Sequence, residues 1–348
     1  SPQLKVENHL FSTETLAILD RFDVDPIRGF LPRSDPLRKL PHPSYQKWED
    51  LAADLSALIT SQKIRPALRE LEPISILNLR SEDEKKRALL VLSVLCHSYV
   101  WGDPSSPSDR LPKGIAVPLF ELAGQMNVPP LLSHLSIVLY NWRRLDESGP
   151  ISLENIATNC QFLGGQDEAW FYLSTVQIEA QGGNVMGHLV EIKETISKHC
   201  GPYLKDGDLE RIAECLVCVE SATREMITTL KKMPLSCDPR IFYHRVRPFL
   251  SGWKKNPSLP EGVIYEGING SQRLCFYGGS AAQSSLFAAL DSALGVQHDD
   301  ASYLVEMMDY MPPQHKAFIQ YLGEGGSMTI RNFILGLKTC NAKNAEKA

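Results

Sequence analysis

A helical segment constrains this chain more than any other feature. Ser81-Glu-Asp-Glu84 fits a capping box, and KKRALLVLSVLCHSYVW, which follows it, carries a broad apolar face. Its longest apolar stretch, near Leu89–Leu95, falls far short of a bilayer span. The face therefore needs other helices to cover it, and the spacing of apolar residues predicts them. Helices are expected over Pro130–Trp142, Glu168–Gln181, Met186–His199, Leu209–Lys232, Pro239–Phe249, Ser284–Leu294, Tyr303–Tyr310 and Pro313–Leu322. Pro130 suits the first turn of its helix, where a missing N–H costs nothing. One clear strand signal stands out: Val263–Glu266 and Arg273–Tyr277 flank Asn269-Gly270, the pattern of a hairpin. The expected fold class is all-α, mostly helical, with one short β-hairpin.

At 348 residues the chain can form one large domain or two smaller ones. Turn-forming prolines (Pro26, Pro32, Pro36, Pro41, Pro43) mark its beginning, whereas aromatic, arginine and Gly-Ser features concentrate later. The reading is a small N-terminal helical domain, 1–125, packed on a larger helical domain, 126–348, that houses the site. Asp103–Pro112 (DPSSPSDRLP) reads as a mobile loop. A net charge of -5 gives no footprint for nucleic acid, and no basic run marks a membrane surface. SPQLKVENHLF lacks the pattern of a signal peptide. A cytoplasmic monomer with no nucleic-acid or membrane partner is expected.

The eight cysteines are scattered. Cys215 and Cys218 form a CxxC, but inside LERIAECLVCVESATREMITTLKK, where Leu209, Ile212, Leu216, Val219, Met226 and Leu230 recur at helical spacing. They are expected as small buried residues of a core helix rather than a zinc knuckle or redox pair. There is no HExxH, GxxxxGK[ST] or GxSxG, and the glycines at Gln181–Gly183 and Gly323–Gly326 are too few for a nucleotide loop.

Chemistry concentrates between Pro239 and Ser285. Arg247 sits among aromatic residues in PRIFYHRVRPFLSGWKKNP, and FYGGSAAQSS follows. A planar guanidinium fork beside aromatic rings suits a flat ligand that carries a carboxylate. Taken alone, the same residues also fit an interhelical ion pair, ordinary core aromatics and a turn before a helix.

An ordered series over most of the chain resembles the indoleamine 2,3-dioxygenase family. It comprises Tyr99-Val-Trp101, Leu111–Pro118, Pro129-Pro130, Asn141-Trp142, Phe242-Tyr243, Arg247, Ser251-Gly-Trp253, Tyr265-Glu-Gly267, Gly278-Gly-Ser-Ala281, Gln283-Ser-Ser285 and Tyr310-Met-Pro-Pro313. The resemblance implies heme b (iron) as cofactor, with O2 and L-tryptophan or a related indoleamine as substrates. Both oxygen atoms would add across the indole C2–C3 bond to give N-formylkynurenine, in tryptophan catabolism by the kynurenine pathway. It also implies roles: Arg247 clamps the substrate carboxylate, Phe242 and Tyr243 form the distal aromatic pair, and Phe171 packs on the indole. Gly279, Ser280 and Ala281 line the heme pocket, with Ser280 near the substrate amine.

Thr175 takes the place of the family's distal hydroxyl, with Ser174 a one-residue alternative, and Asp291 that of a proximal acidic residue. His134 stands where the family often has a phenol, and is expected to alter indole affinity or its pH dependence. A helix histidine without substrate contact is the alternative there. The glycine-rich Gly323–Ser327 segment fits either a loop that closes over substrate or a solvated turn. None of the nine histidines occupies the position of the family's axial ligand, so the metal ligand stays unassigned and is expected beyond Ala348. His315 corresponds to a non-ligand histidine. The resemblance also admits an oxygen-binding, myoglobin-like or heme-poor, non-catalytic member.

Overall fold

The Glu82–Trp101 helix is the axis of the fold, and every residue from Arg87 to Trp101 is buried. The computed structural model describes residues 11–103, 105–198, 206–268, 270, 272–299, 301–323 and 329–345. Ser81 Oγ caps the axial helix, accepting from the Glu84 N–H at 3.2 Å. The return bond of the capping box goes one residue further back, because Glu84 Oε2 accepts from the Arg80 N–H at 3.1 Å. Three acids in the first turn favour the same end. Around this helix pack Gln46–Ala53, Ile64–Arg69, Lys113–Met126, Arg247–Leu250 and the turn Leu135–Leu139.

Buried polar groups fix the register of these neighbours. His97 Nε2 accepts from the Leu132 N–H at 3.1 Å, so Nδ1 carries the proton and donates to the Phe249 carbonyl at 2.8 Å. Trp101 Nε1 donates to the Ser251 carbonyl at 2.7 Å. Two segments expected to carry chemistry are thus bolted to the axial helix.

His97 is fully buried, and burial pushes its imidazole down to about 4 from 6.5. Below about pH 6.5 the unfolded chain takes up a proton that the folded chain refuses. Stability is therefore full above that value and falls as pH drops toward about 4. For His97 alone the loss between pH 7 and pH 5 should be about 2 kcal/mol. His315, held down to about 3 by burial, adds in the same direction. Urea midpoints at the two pH values check this. A His97→Gln protein should lose less over the interval, and equal losses would count against the assignment.

A second set of helices, Gln166–Gln181, Gly183–Ser197 and Asp206–Lys231, packs beside the first. Ser285–Leu294 and Pro313–Gly323 pack on each other and on Gly183–Ser197. The first described helix, Thr13–Arg21, also lies on Gly183–Ser197, and Phe30 stacks near His315 (4.8 Å) and Phe318 (5.9 Å). One contiguous apolar core therefore runs from Leu19 to Phe333.

The all-α fold is as expected, and the later helices fall close to their predicted bounds. Four local readings need correction. Over Pro130–Trp142 the chain makes only a π-turn, Leu135–Leu139, and Trp142–Arg144 then pairs antiparallel with Ile156–Thr158. The helix stops because the Asn141 side chain engages Cys160: Nδ2 donates to its carbonyl at 3.0 Å, and Oδ1 accepts from its N–H at 2.7 Å. Pro239–Phe249 is helical but carries a π-turn at Phe242–Val246. Pro248 lacks an N–H and its ring crowds the carbonyl one turn earlier, which opens the ladder there.

The hairpin joins Val263–Tyr265 to Arg273–Leu274, and a third strand, Arg110–Leu111, runs parallel to the first. That strand lies within the stretch read as a mobile loop; the hairpin residue Asn269 lies outside the described residues. Cys215 is buried as expected but Cys218 is exposed, because the long helix Asp206–Lys231 presents one face to solvent. No described helix is long and apolar enough to cross a membrane.

Candidate functional site

The Phe242–Val246 turn, the Leu135–Leu139 turn and the Gln166–Gln181 helix converge beside the loop Tyr277–Ala281. They enclose a cavity of about 350 Å³, within the range of small-molecule sites. Every residue that lines it falls between His134 and Tyr303.

The loop is held by backbone contact. Trp253 and Lys254 N–H groups both donate to the Phe276 carbonyl, at 2.9 and 2.8 Å, and the Gly279 N–H donates to the Leu250 carbonyl at 3.0 Å. This lacing brings Gly278 against Gly252. A Cβ at Gly278 would lie 2.0 Å from the Leu250 oxygen, and one at Gly252 would lie 2.2 Å from the Gly278 nitrogen. Gly279 has room, with its nearest neighbour Leu132 Cδ2 at 3.5 Å. Gly278→Ala should therefore displace the loop, costing about 1–3 kcal/mol in stability, whereas Gly279→Ala should be close to neutral. Melting temperatures of the two variants check the contrast, and similar values would refute it.

Ser280 closes the loop. Its Oγ accepts from the Ala282 N–H at 3.2 Å, while Gln283 Oε1 accepts from the Ser280 N–H at 3.3 Å. Gln283 Oε1 also accepts from the His134 N–H at 3.0 Å, and Gln283 Nε2 donates to the Gly278 carbonyl at 2.9 Å. One buried glutamine thus joins the loop to the opposite wall.

That wall is apolar except for His134. Its Nε2 lies 2.8 Å from Glu179 Oε1, which also accepts from Ser284 Oγ at 2.6 Å. The imidazole is buried and held in one orientation, at the cavity surface beside Ile137 and Val138. Phe171 and Phe242 pack with ring centroids 4.4 Å apart. Thr175 lines the cavity, but its hydroxyl donates to the Phe171 carbonyl at 3.0 Å, leaving only lone pairs toward the interior.

Arg247 completes the lining. Its guanidinium lies 5.3 Å from the centroid of the Tyr243 ring, a cation–π contact. Among the described residues no carboxylate pairs with it.

The structure therefore brings His134, Phe171, Thr175, Phe242, Arg247, Gly279, Ser280 and Ala281 around one cavity. Three expected residues are not in its lining. Tyr243 is 57% exposed and touches the site only through Arg247. Asp291 pairs with His298 Nε2 at 2.7 Å on the far part of its helix. Ser174 is buried with its hydroxyl unpartnered among the described residues, so Thr175 is the hydroxyl that reaches the cavity.

Sequence reasoning missed Tyr277 and Tyr303, which meet edge to face at 5.6 Å between centroids, with the Tyr277 N–H donating to the Tyr310 hydroxyl at 2.8 Å. The Tyr310-Met-Pro-Pro313 match was the signal for that anchor. Most of the Gly323–Ser327 segment lies outside the described residues.

Comparison with known proteins gives a single result. The family model for indoleamine 2,3-dioxygenase matches residues 18–346. An indoleamine 2,3-dioxygenase of Saccharomyces cerevisiae is 35% identical over 337 residues, covering 90% of this chain and 72% of that protein. Indoleamine 2,3-dioxygenase 2 of Homo sapiens is 34% identical over 320 residues (91% and 75%). Indoleamine 2,3-dioxygenase acdA of Aspergillus candidus is 34% identical over 345 residues (94% and 82%).

Proposed function

Because the chain belongs to the indoleamine 2,3-dioxygenase family of heme oxidoreductases, we propose that it oxidises L-tryptophan with O2 to N-formylkynurenine. Both oxygen atoms enter the product as the indole C2–C3 bond is cleaved, so no external reductant is consumed. The observation that carries this reading is Arg247: a guanidinium with no carboxylate partner among the described residues, on a cavity walled mostly by aromatic and aliphatic groups. An amino-acid carboxylate supplies the missing partner through two parallel hydrogen bonds.

The remaining lining has matching tasks. Phe171 and Phe242 offer ring faces and edges to an indole, worth about 0.5–1.5 kcal/mol beyond plain burial. Tyr243 steadies Arg247 from outside. The Ser280 hydroxyl spends one lone pair on a cap, keeping its proton for a substrate carboxylate and its second lone pair for a substrate ammonium. His134, fixed by Glu179, sets the polar limit of an otherwise apolar indole wall.

The walls also fit a flat macrocycle. Ile137, Val138 and Leu250 are apolar, and the Gly278-Gly279 backbone permits close approach. Gly279, Ser280 and Ala281 would border heme b there. When bound, the ferrous heme supplies the dioxygen activation that side chains cannot. His134 is the one described histidine that lines the cavity, and its Nε2 is taken by Glu179, so it is not assigned as axial ligand. The site lies in the larger domain proposed for 126–348. Cys96, Cys160, Cys215, Cys218, Cys237 and Cys275 are all unpaired, which supports a reducing, cytoplasmic setting.

The test is a hemin titration of the full chain followed by oxygen uptake with L-tryptophan. A saturable one-to-one Soret band and tryptophan-dependent uptake, with one N-formylkynurenine per O2, are expected. Reversible oxygenation without tryptophan-dependent uptake would replace the enzyme with an oxygen-binding protein. Absence of a specific Soret band would overturn the heme assignment.

A further inference from the structure

One cluster of ligating side chains has no task in the chemistry above. His188 and Glu191 lie one turn apart on the Gly183–Ser197 helix, and Cys215 meets them from the neighbouring Asp206–Lys231 helix. A ring nitrogen, a carboxylate oxygen and the Cys215 sulfur all lie within 4.8 Å of one another. His188 is 8% exposed and Cys215 1%. His188 Nδ1 is buried with no hydrogen-bond partner among the described residues, a cost that folded proteins rarely leave unanswered.

We propose that His188, Glu191 and Cys215 form a zinc site that clamps these two helices together. Imidazole nitrogen, carboxylate oxygen and thiolate sulfur are the donors that zinc takes. With Zn–S about 2.3 Å and Zn–O about 2.0–2.2 Å, the sulfur–oxygen edge of a tetrahedron is about 3.5 Å. Cys215 Sγ lies 3.5 Å from Glu191 Oε2, already at that edge, with its S–H donating to the oxygen. Zinc replaces that proton. The S–H bond breaks, a sulfur–zinc bond forms, and one proton leaves to solvent with no change of oxidation state.

The surroundings suit an ion. Burial lowers the His188 imidazole and so favours its neutral, ligating form, while burial raises the Cys215 thiol to about 12, so the metal must drive the deprotonation. Glu191 is oriented by second partners: Arg211 donates to Oε2, and the Ser12 N–H donates to Oε1 at 3.3 Å. Each carboxylate oxygen has a further lone pair for the metal, and such outer partners are usual for ligating carboxylates. Thiolate and carboxylate offset the dication within the ligand set, and the one positive charge gained on exchanging a proton for zinc is shared with the partly exposed Arg211 guanidinium that pairs with Glu191. Three protein ligands leave the fourth position to water.

The experiment dialyses the full chain against micromolar Zn2+ and counts bound metal in wild type, His188→Asn, Cys215→Ser and Cys218→Ser. The proposal expects one zinc that both His188→Asn and Cys215→Ser lose, with affinity at least about 100-fold weaker. Cys218→Ser, altering an exposed thiol on the same helix, should keep it. In parallel, Co2+ added to wild type should give a near-ultraviolet thiolate-to-cobalt band and release one proton, even if a variant folds poorly. Absence of that band in wild type, its survival in Cys215→Ser, or zinc retained by His188→Asn would each overturn the site.

Discussion

Arg247→Ala should raise the KM for L-tryptophan at least about tenfold in the heme-loaded protein, the factor set by losing a charge-assisted hydrogen bond of about 1.5–3 kcal/mol. The guanidinium makes no ion pair among the described residues, so its removal leaves no partner charge stranded in the fold. Far-ultraviolet spectra and melting temperature should therefore barely change. That separates loss of a clamp from loss of structure. Arg247→Lys keeps the charge but not the fork, and should fall between the two. Tryptamine, an indoleamine without a carboxylate, provides the control. Wild type should discriminate strongly against it, and Arg247→Ala should narrow the gap by lowering tryptophan alone. If Arg247→Ala leaves the tryptophan KM and this discrimination intact, the carboxylate is held elsewhere and the role given to Arg247 is wrong.

Arg247 stood out through its place in the ordered family series; from the residues alone, with Arg240 and Arg245 close by, an interhelical ion pair fitted as well. Tyr243 shows where that reading failed. Phe242 and Tyr243 were paired through the family resemblance, but neighbours on a helix lie about 100° apart and do not share a face. Phe242 faces the cavity and Tyr243 faces outward onto Arg247. The helices themselves were legible because repeated apolar spacing acts over many residues and outvotes any one of them.

The Lys113–Met126 helix was missed because Pro118 and two glycines weaken the same signal. Short pairings such as Trp142–Arg144 with Ile156–Thr158 depend on two side-chain bonds between Asn141 and Cys160, residues far apart in sequence. Local propensity carries no trace of such bonds. The wall at His134 is similar: its orientation follows from Glu179, Ser284 and Gln283, three residues on two other segments.

Arg87→Met should be the most damaging single change away from the site, costing about 3–5 kcal/mol. Arg87 and Glu49 are each 5% exposed, joined by Nη2–Oε2 at 2.6 Å and Nε–Oε1 at 3.1 Å. Glu49 Oε1 also accepts from the Leu40 N–H at 2.9 Å, and Arg87 Nη1 reaches Cys160 Sγ at 3.6 Å. The pair thus joins the N-terminal segment, the Gln46–Ala53 helix, the axial helix and the Cys160 loop. Taking away the arginine leaves a buried carboxylate uncompensated, which costs more than the pair gains over an apolar substitute. Glu49→Gln in the Arg87→Met background should therefore recover much of the loss, because it removes the stranded charge and keeps an acceptor for Leu40. Glu49→Leu in that background should recover less, since the Leu40 N–H then lacks a partner. Melting temperatures of the three proteins decide the matter. If Arg87→Met melts near wild type, or the two double variants rank in the opposite order, the destabilisation does not come from a stranded charge.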